Sequence, residues 1–391
     1  MRRENSGWLL GLNLVLVFLV VGLLLAWDAL ELVERLSAAQ AKNVTRGIRI
    51  AGLAIILIGL AGLVREIRLG RRQGSGRARL RAAAHLAAPF LLLLGVAYSH
   101  VKAAGPVTYA PPSGAAYAYE EVRLHLPFGD VLAGSLTLPR GAGAAIPSMV
   151  LITGSSPHDR DNAAPRAPRS GYRPFRQIAH RLSSHGIAVL RMDDRGVGQS
   201  VGGDLGQLTT AERARDIEAG IAYLRRRPEI DAARIGLLGL SEGVSIANMI
   251  AARDGRINAL VLLSGIGSPG KEVLRYQIRQ GLLSENDLAA LLRTDKNTRF
   301  LHEYDPLAFA RMVRQPVLIL HGDRDRSVPY ADAFRLEQAM KENGNRDVTV
   351  RILAGYNHPL LKVKEDGTVV SARLSDDVLA LIQNWLQREM E

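Results

Sequence analysis

Hydrophobic and polar positions follow two different patterns along this chain. Up to residue 104 the apolar positions form long runs. Residues 8–26 carry no charge and one polar residue, Asn13. At 1.5 Å of rise per residue, a helix of that length covers most of a ~30 Å hydrocarbon core. Two shorter runs, 50–64 and 86–101, are further candidate spans. Residues 104–116, AGPVTYAPPSGAA, read as a Pro/Gly-rich linker. From residue 117 the pattern changes to short apolar runs alternating with amphipathic segments.

That second pattern predicts an ordered set of elements. YAYEEVRLHLP and VLAGSLTLP read as a period-two hairpin turning at Phe128, Gly129 and Asp130. IPSMVLITG, IAVLRMDD, RIGLLGL, INALVLLSG and QPVLILHG are short, nearly continuous apolar strands, as expected of a parallel sheet buried on both faces. FRQIAHRLSSHG, TTAERARDIEAGIAYLRRRPEI, ADAFRLEQAMKENG and SDDVLALIQNWLQREM read as helices, and DVTVRILAG as a last strand. A hairpin followed by strand–helix units predicts an α/β three-layer sandwich over 117–391. Residues 268–312 break the alternation with two or three helices. They are a candidate lid, inserted where open α/β sheets bind ligands.

Charge follows the same division. The formal net charge is +12, of which residues 1–104 carry +9 (14 Lys and Arg against 5 Asp and Glu). Seven arginines in 65–81 mark a loop expected on the cytoplasmic side of a membrane. With three spans crossing, the chain is a multi-pass protein of the cytoplasmic membrane, and everything after 104 is extracytoplasmic. An anchor is expected rather than a removed leader, because no small-residue cleavage site follows the first run. Nucleic-acid binding is disfavoured: the basic excess flanks apolar runs, and only 5% of residues are aromatic. With no cysteine, disulfides, thiolate metal sites and a Cys nucleophile are excluded.

The candidate chemistry centres on GLSEG, residues 239–243. The motif lies between an apolar strand and a helix-compatible run. Small residues are needed two before and two after Ser241 for a turn sharp enough to expose a nucleophile. The alternative role for Ser241 is a helix N-cap. A Ser hydroxyl needs a base, and the base a third group to orient it. HGDRDRSVP follows one later strand and YNHPL the next, which supplies Asp325 as the acid and His358 as the base; Asp323 is the rival acid. His321 precedes its own acid and is set aside. Two N–H donors are needed for an oxyanion. Glu242 is one candidate, and Ser155 in GSSPHDRD is the other, with Ser156 its alternative.

Together, ITGSSPHDRD, RMDDRGVGQSVG, GLSEG, DPLAFARMVRQPVLILHGDRDRSVP and YNHPL resemble the α/β-hydrolase superfamily. Within it they are similar to the serine esterases and acyl-peptidases related to dienelactone hydrolase and prolyl oligopeptidase. The resemblance covers 117–391 and implies a three-layer α/β sandwich with a Ser-His-Asp triad. It also implies that DDRGVGQS is a structural turn in which Arg195 anchors a neighbouring loop. Thr153 stands where this superfamily often has His, and Ser156 where Gly is usual.

GIGSPG, residues 265–270, has the spacing of a dinucleotide fingerprint. Pro269 and the lack of an acid at the end of the next strand argue against that role. No motif calls for a cofactor or a metal. The expected function is a membrane-anchored serine hydrolase acting on a small or lipid-like acyl ester. A peptidase of the same fold, or a non-catalytic sensor, is the alternative. Ester is preferred because neither a propeller nor an acidic amine-binding motif is evident.

Overall fold

Alternation along each strand decides the layers. In β6 (Ile257–Leu263), Leu260 and Leu262 join one apolar cluster, while Ala259, Val261 and Leu263 join another on the opposite face. Side chains two apart share a face of a sheet, so one strand feeds two cores. The computed structural model describes residues 108–391 except 142, 144, 156, 164–171 and 204–206. The three apolar runs expected to span a membrane lie outside the described residues. Among the described residues, no helix is long and apolar enough to cross a membrane.

The sheet has eight strands in the order β1-β2-β4-β3-β5-β6-β7-β8. β1 (Tyr117–His125) pairs antiparallel with β2 (Val131–Pro139), which pairs antiparallel with β4 (Ala188–Met192). The remaining strands run parallel: β3 (Ile146–Ile152), β5 (Ile230–Leu240), β6, β7 (Val317–Gly322) and β8 (Val348–Leu353). All six residues of β7 are buried, as its apolar run predicts.

On one face lie α2 (Thr210–Arg225), α3 (Glu242–Ala251) and α8 (Ala331–Glu342). Their Ile221, Leu224, Ile246 and Leu336 pack on β-strand side chains. On the other face lie α1 (Pro174–Ser183) and α9 (Asp376–Glu389), which contribute Phe175, Ile178, Ile382 and Trp385. Fully burying one such side chain contributes about 1.5–3 kcal/mol. Thr209 caps α2 in a reciprocal box with Glu212, as the TTAE sequence suggests.

The segment after β6 forms α4 (Gly270–Arg279), α5 (Glu285–Thr294), α6 (Lys296–Glu303) and α7 (Leu307–Ala310), four helices where the sequence suggested two or three. α5 buries no residue. Packing also begins before β1. Tyr109, in the expected linker, is buried, with the Arg160 guanidinium 4.1 Å from its ring centroid.

Candidate active site

β5 ends at Leu240 and α3 begins at Glu242, so the chain reverses direction on Ser241 alone. Ser241 has φ 57° and ψ −119°, a conformation that L residues rarely adopt. Its amide donates to Leu263 O at 2.9 Å, and its carbonyl accepts from Val244 N at 3.0 Å. The flanking glycines are obligatory. A Cβ on Gly239 would lie 2.3 Å from Gly243 O, and one on Gly243 would lie 2.3 Å from Ile152 O. Ser241 occupies the N-cap position, yet its side chain makes no capping bond. The hydroxyl is therefore spent elsewhere: Oγ lies 3.0 Å from His358 Nε2.

His358 Nδ1 lies 2.7 Å from Asp325 Oδ2. Asp325 sits in the turn after β7, where its Oδ1 accepts from the amides of Ser327 (2.7 Å) and Val328 (2.8 Å). The rival acid Asp323 faces away, accepting from Gly355 N at 2.7 Å. Burial by itself would raise the Asp325 carboxyl. His358 alongside, with hydrogen bonds from His321 and His358, outweighs burial and holds it well below the usual carboxylate range. An ionised Asp325 only accepts, so the ring nitrogens facing it carry hydrogens. With Nδ1 turned to Asp325, the His358 ring presents Nε2 to Ser241 Oγ.

His321 makes its hydrogen bonds within the same turn, to Asp325 and to Val328 O. It is fully buried, and its Nε2 lies 2.9 Å from the same Asp325 Oδ2, opposite His358. From the insertion, Tyr276 Oη donates to Asp325 O at 2.8 Å. Asp325 is thus clamped by its own turn, by β7 and by α4.

Gly154 backs onto Ser241: a Cβ there would lie 3.4 Å from Ser241 Cβ and 3.9 Å from its Oγ. The Gly154–Ser155 peptide therefore borders the nucleophile candidate. Among the described residues, no hydrogen bond takes the amides of Ser155 or Glu242. Ser156 lies outside the described residues. The Glu242 side chain does more than meet the helix dipole. It is buried and accepts from Thr210 Oγ1 at 2.9 Å, Arg213 Nη1 at 3.0 Å and Asn297 Nδ2 at 3.0 Å. Arg213 Nη2 in turn donates to Thr153 Oγ1 and Gly154 O, each at 2.9 Å. Burial would lower Arg213, but Asp194 and then Glu242 reverse this, so it is raised and stays charged. Sequence reasoning missed Arg213, Asn297 and the part played by His321.

The DDRG turn is structural. Asp193 binds the buried Arg160, Asp194 accepts from Thr153 Oγ1 at 2.8 Å, and Arg195 pairs with Asp216 and Asp130. The glycine-rich GIGSPG loop is occupied internally. The amides of Gly267 and Ser268 both donate to Asp332 Oδ2 at 3.0 Å. Among the described residues, no three His, Asp or Glu side chains converge as a metal-ligand set.

Over 282 residues the chain is 29% identical to esterase EstD of Thermotoga maritima, covering 65% of each chain, so it spans under two thirds of that relative. It is 30% identical over 200 residues to the uncharacterized peptidase YuxL of Bacillus subtilis, covering 47% of this chain and 29% of YuxL. In structure it is similar to the Pyrococcus furiosus esterase Pf2001, with TM-score 0.56 at 18% identity, covering 73% of this chain and 96% of that one. It is also similar to the ferulic acid complex of Est1E from Butyrivibrio proteoclasticus, with TM-score 0.50 at 20% identity, covering 69% and 98%. Likenesses at that identity show the α/β-hydrolase fold alone. Residues 174–391, more than half of the chain, match the prolyl oligopeptidase family, and the chain belongs to that family.

Proposed function

We propose that the protein is a serine hydrolase that cleaves acyl esters through an acyl-enzyme. The observation that carries this reading is the hydrogen-bonded line Ser241–His358–Asp325, with the Ser on a strained turn at the carboxyl end of β5. Ser241 Oγ attacks the acyl carbon while His358 Nε2 takes its proton. Asp325 holds the imidazole tautomer and offsets the charge that develops on it. The oxyanion that forms accepts from the amides of Glu242 and Ser155. His358 then protonates the leaving alkoxide, the C–O bond breaks, and the acyl group stays on Ser241. Water attacks that ester with His358 again taking the proton; the bond to Ser241 Oγ breaks, His358 returns the proton to it, and the free acid leaves.

The esterase name of the Thermotoga relative favours an ester substrate. The family match and the peptidase name of the Bacillus relative favour the second reading, a serine peptidase on the same triad. We further propose that residues 1–104 anchor the hydrolase unit in the cytoplasmic membrane, with that unit outside. The apolar runs and the arginine-rich loop support this. An anchor would hold the site near lipid-like acyl substrates.

A fluorophosphonate probe applied to the detergent-solubilised protein should label wild type and not S241A. A folded wild type that resists labelling overturns the hydrolase reading and leaves the non-catalytic sensor. A panel of esters of graded chain length against matched peptides separates esterase from peptidase. For topology, a reporter fused after residue 391 that is active only in the cytoplasm refutes the outward placement.

A further inference from the structure

We infer that Arg213 is a positioning residue for the oxyanion donors, and that the inserted helices set its position through Asn297. The inference rests on the hydrolase reading and assigns the buried charge cluster beneath that site. A trans peptide points its C=O and its N–H in opposite directions, and the described backbone has no cis bond. Arg213 Nη2 holds Gly154 O at 2.9 Å, so the N–H of Ser155, on the same peptide, is directed away from Arg213. This is the peptide that packs against Ser241. The other nitrogen of the same guanidinium, Nη1, lies 3.0 Å from Glu242 Oε1, and Glu242 carries the second donor amide on its own backbone. One planar fork therefore braces both donors at once. Arg can do this where a Lys point charge cannot.

The cluster does not end at the hydrolase core. Asn297, on α6 of the insertion, donates to both Glu242 oxygens at 3.0 and 3.1 Å and accepts from Thr210 N at 2.8 Å. Beside it, Lys296 pairs with Glu212 at 2.9 Å. The insertion is therefore docked on the first turn of α2, which carries Arg213, and on the carboxylate that Arg213 neutralises. Displacing α6 would leave a buried carboxylate short of a partner directly under a donor amide. In this arrangement the insertion reports its position to the oxyanion hole.

The test compares wild-type, R213K and N297A full-length enzyme on a p-nitrophenyl acyl ester. A trifluoromethyl ketone serves as the probe whose enzyme adduct carries an oxyanion. Losing one oxyanion donor costs 10²–10³ in kcat. Misdirecting one in R213K is expected to lower kcat by about 10–100-fold with KM within about twofold. Inhibition by the ketone should weaken by the same factor as kcat/KM falls. N297A, which keeps the Arg–Glu pair, is expected to move both readouts the same way by about three- to tenfold. Variants that melt earlier but keep wild-type kcat and ketone affinity overturn the proposal, because a merely structural brace would do that. Should R213K not fold, N297A decides alone. A wild type that hydrolyses no ester overturns the parent reading. An active wild type with unaffected variants overturns only the positioning role.

Discussion

Replacing Ser241 by Gly should abolish hydrolysis yet leave the protein more stable than replacing it by Ala, and the size of that difference follows from the backbone. With φ 57° and ψ −119°, Ser241 holds a conformation that costs a non-glycine residue about 1–3 kcal/mol. Glycine relieves that strain but costs about 0.4–1 kcal/mol through the freer unfolded chain. The lost hydroxyl also forfeits its bond to His358, about 0.5–1.5 kcal/mol. Ser241→Ala loses the same bond while keeping the Cβ, so the comparison of S241G with S241A cancels it. The difference left is about 0–2.6 kcal/mol in favour of glycine, centred near ~1.3 kcal/mol. For a folded unit of this size, 1 kcal/mol moves the midpoint by roughly 2 °C, so S241G should melt about 3 °C above S241A. Scanning calorimetry of the two full-length variants in one buffer and detergent reads this directly. A glycine variant melting at or below the alanine variant refutes the claim that the turn stores strain.

Asp325→Asn should lower kcat by about 10³–10⁴ with the fold intact, whereas Asp323→Asn should stay within a few-fold of wild type; ester-hydrolysis kinetics on both identify the acid. The Asp325 carboxyl is held below its unfolded value, so its stabilisation is fully present above the ordinary carboxylate range. Urea midpoints should therefore show the wild-type advantage over D325N undiminished from pH 7 to pH 5, shrinking only below about pH 4; a decline between pH 7 and 5 contradicts this. Arg160 is fully buried and bound to Asp193, Gly134 O and Ser135. Arg160→Met strands the buried Asp193 and should cost about 3–5 kcal/mol in chemical denaturation.

How much of this was legible in the sequence depended on whether a residue's role is local. The strands were readable because Leu, Ile and Val runs such as VLIL have only one place to go, between two helical layers. The order Ser241, Asp325, His358 was readable because each follows its own strand, and the glycines around Ser241 mark the sharp turn. Arg213 was not readable. In TTAERARD it looks like any charge on the solvated face of a helix, and its burial depends on Glu242, Gly154 and Asn297, which lie far away in the chain. His321 was set aside as a base from chain order. Its hydrogen bond to Asp325 needed the geometry of the turn, where one carboxylate oxygen sits between two imidazoles. Tyr109 read as part of a Pro-rich linker because the guanidinium that covers its ring arrives from Arg160.

The glycine-rich loop after β6 carries a lesson about competition. Its amides at Gly267 and Ser268 converge on Asp332, Ser268 Oγ donates to the same carboxylate at 2.5 Å, and Arg335 Nη1 reaches Ser268 Oγ at 2.5 Å. The loop thus has an anion already bound, supplied by its own chain. A tethered ligand acts at an effective concentration of about millimolar or above. A free phosphate or nucleotide would have to displace a competitor that never diffuses away. A fingerprint that advertises a dinucleotide site by spacing is here saturated from within, and α8 is fastened to the sheet by the same bonds.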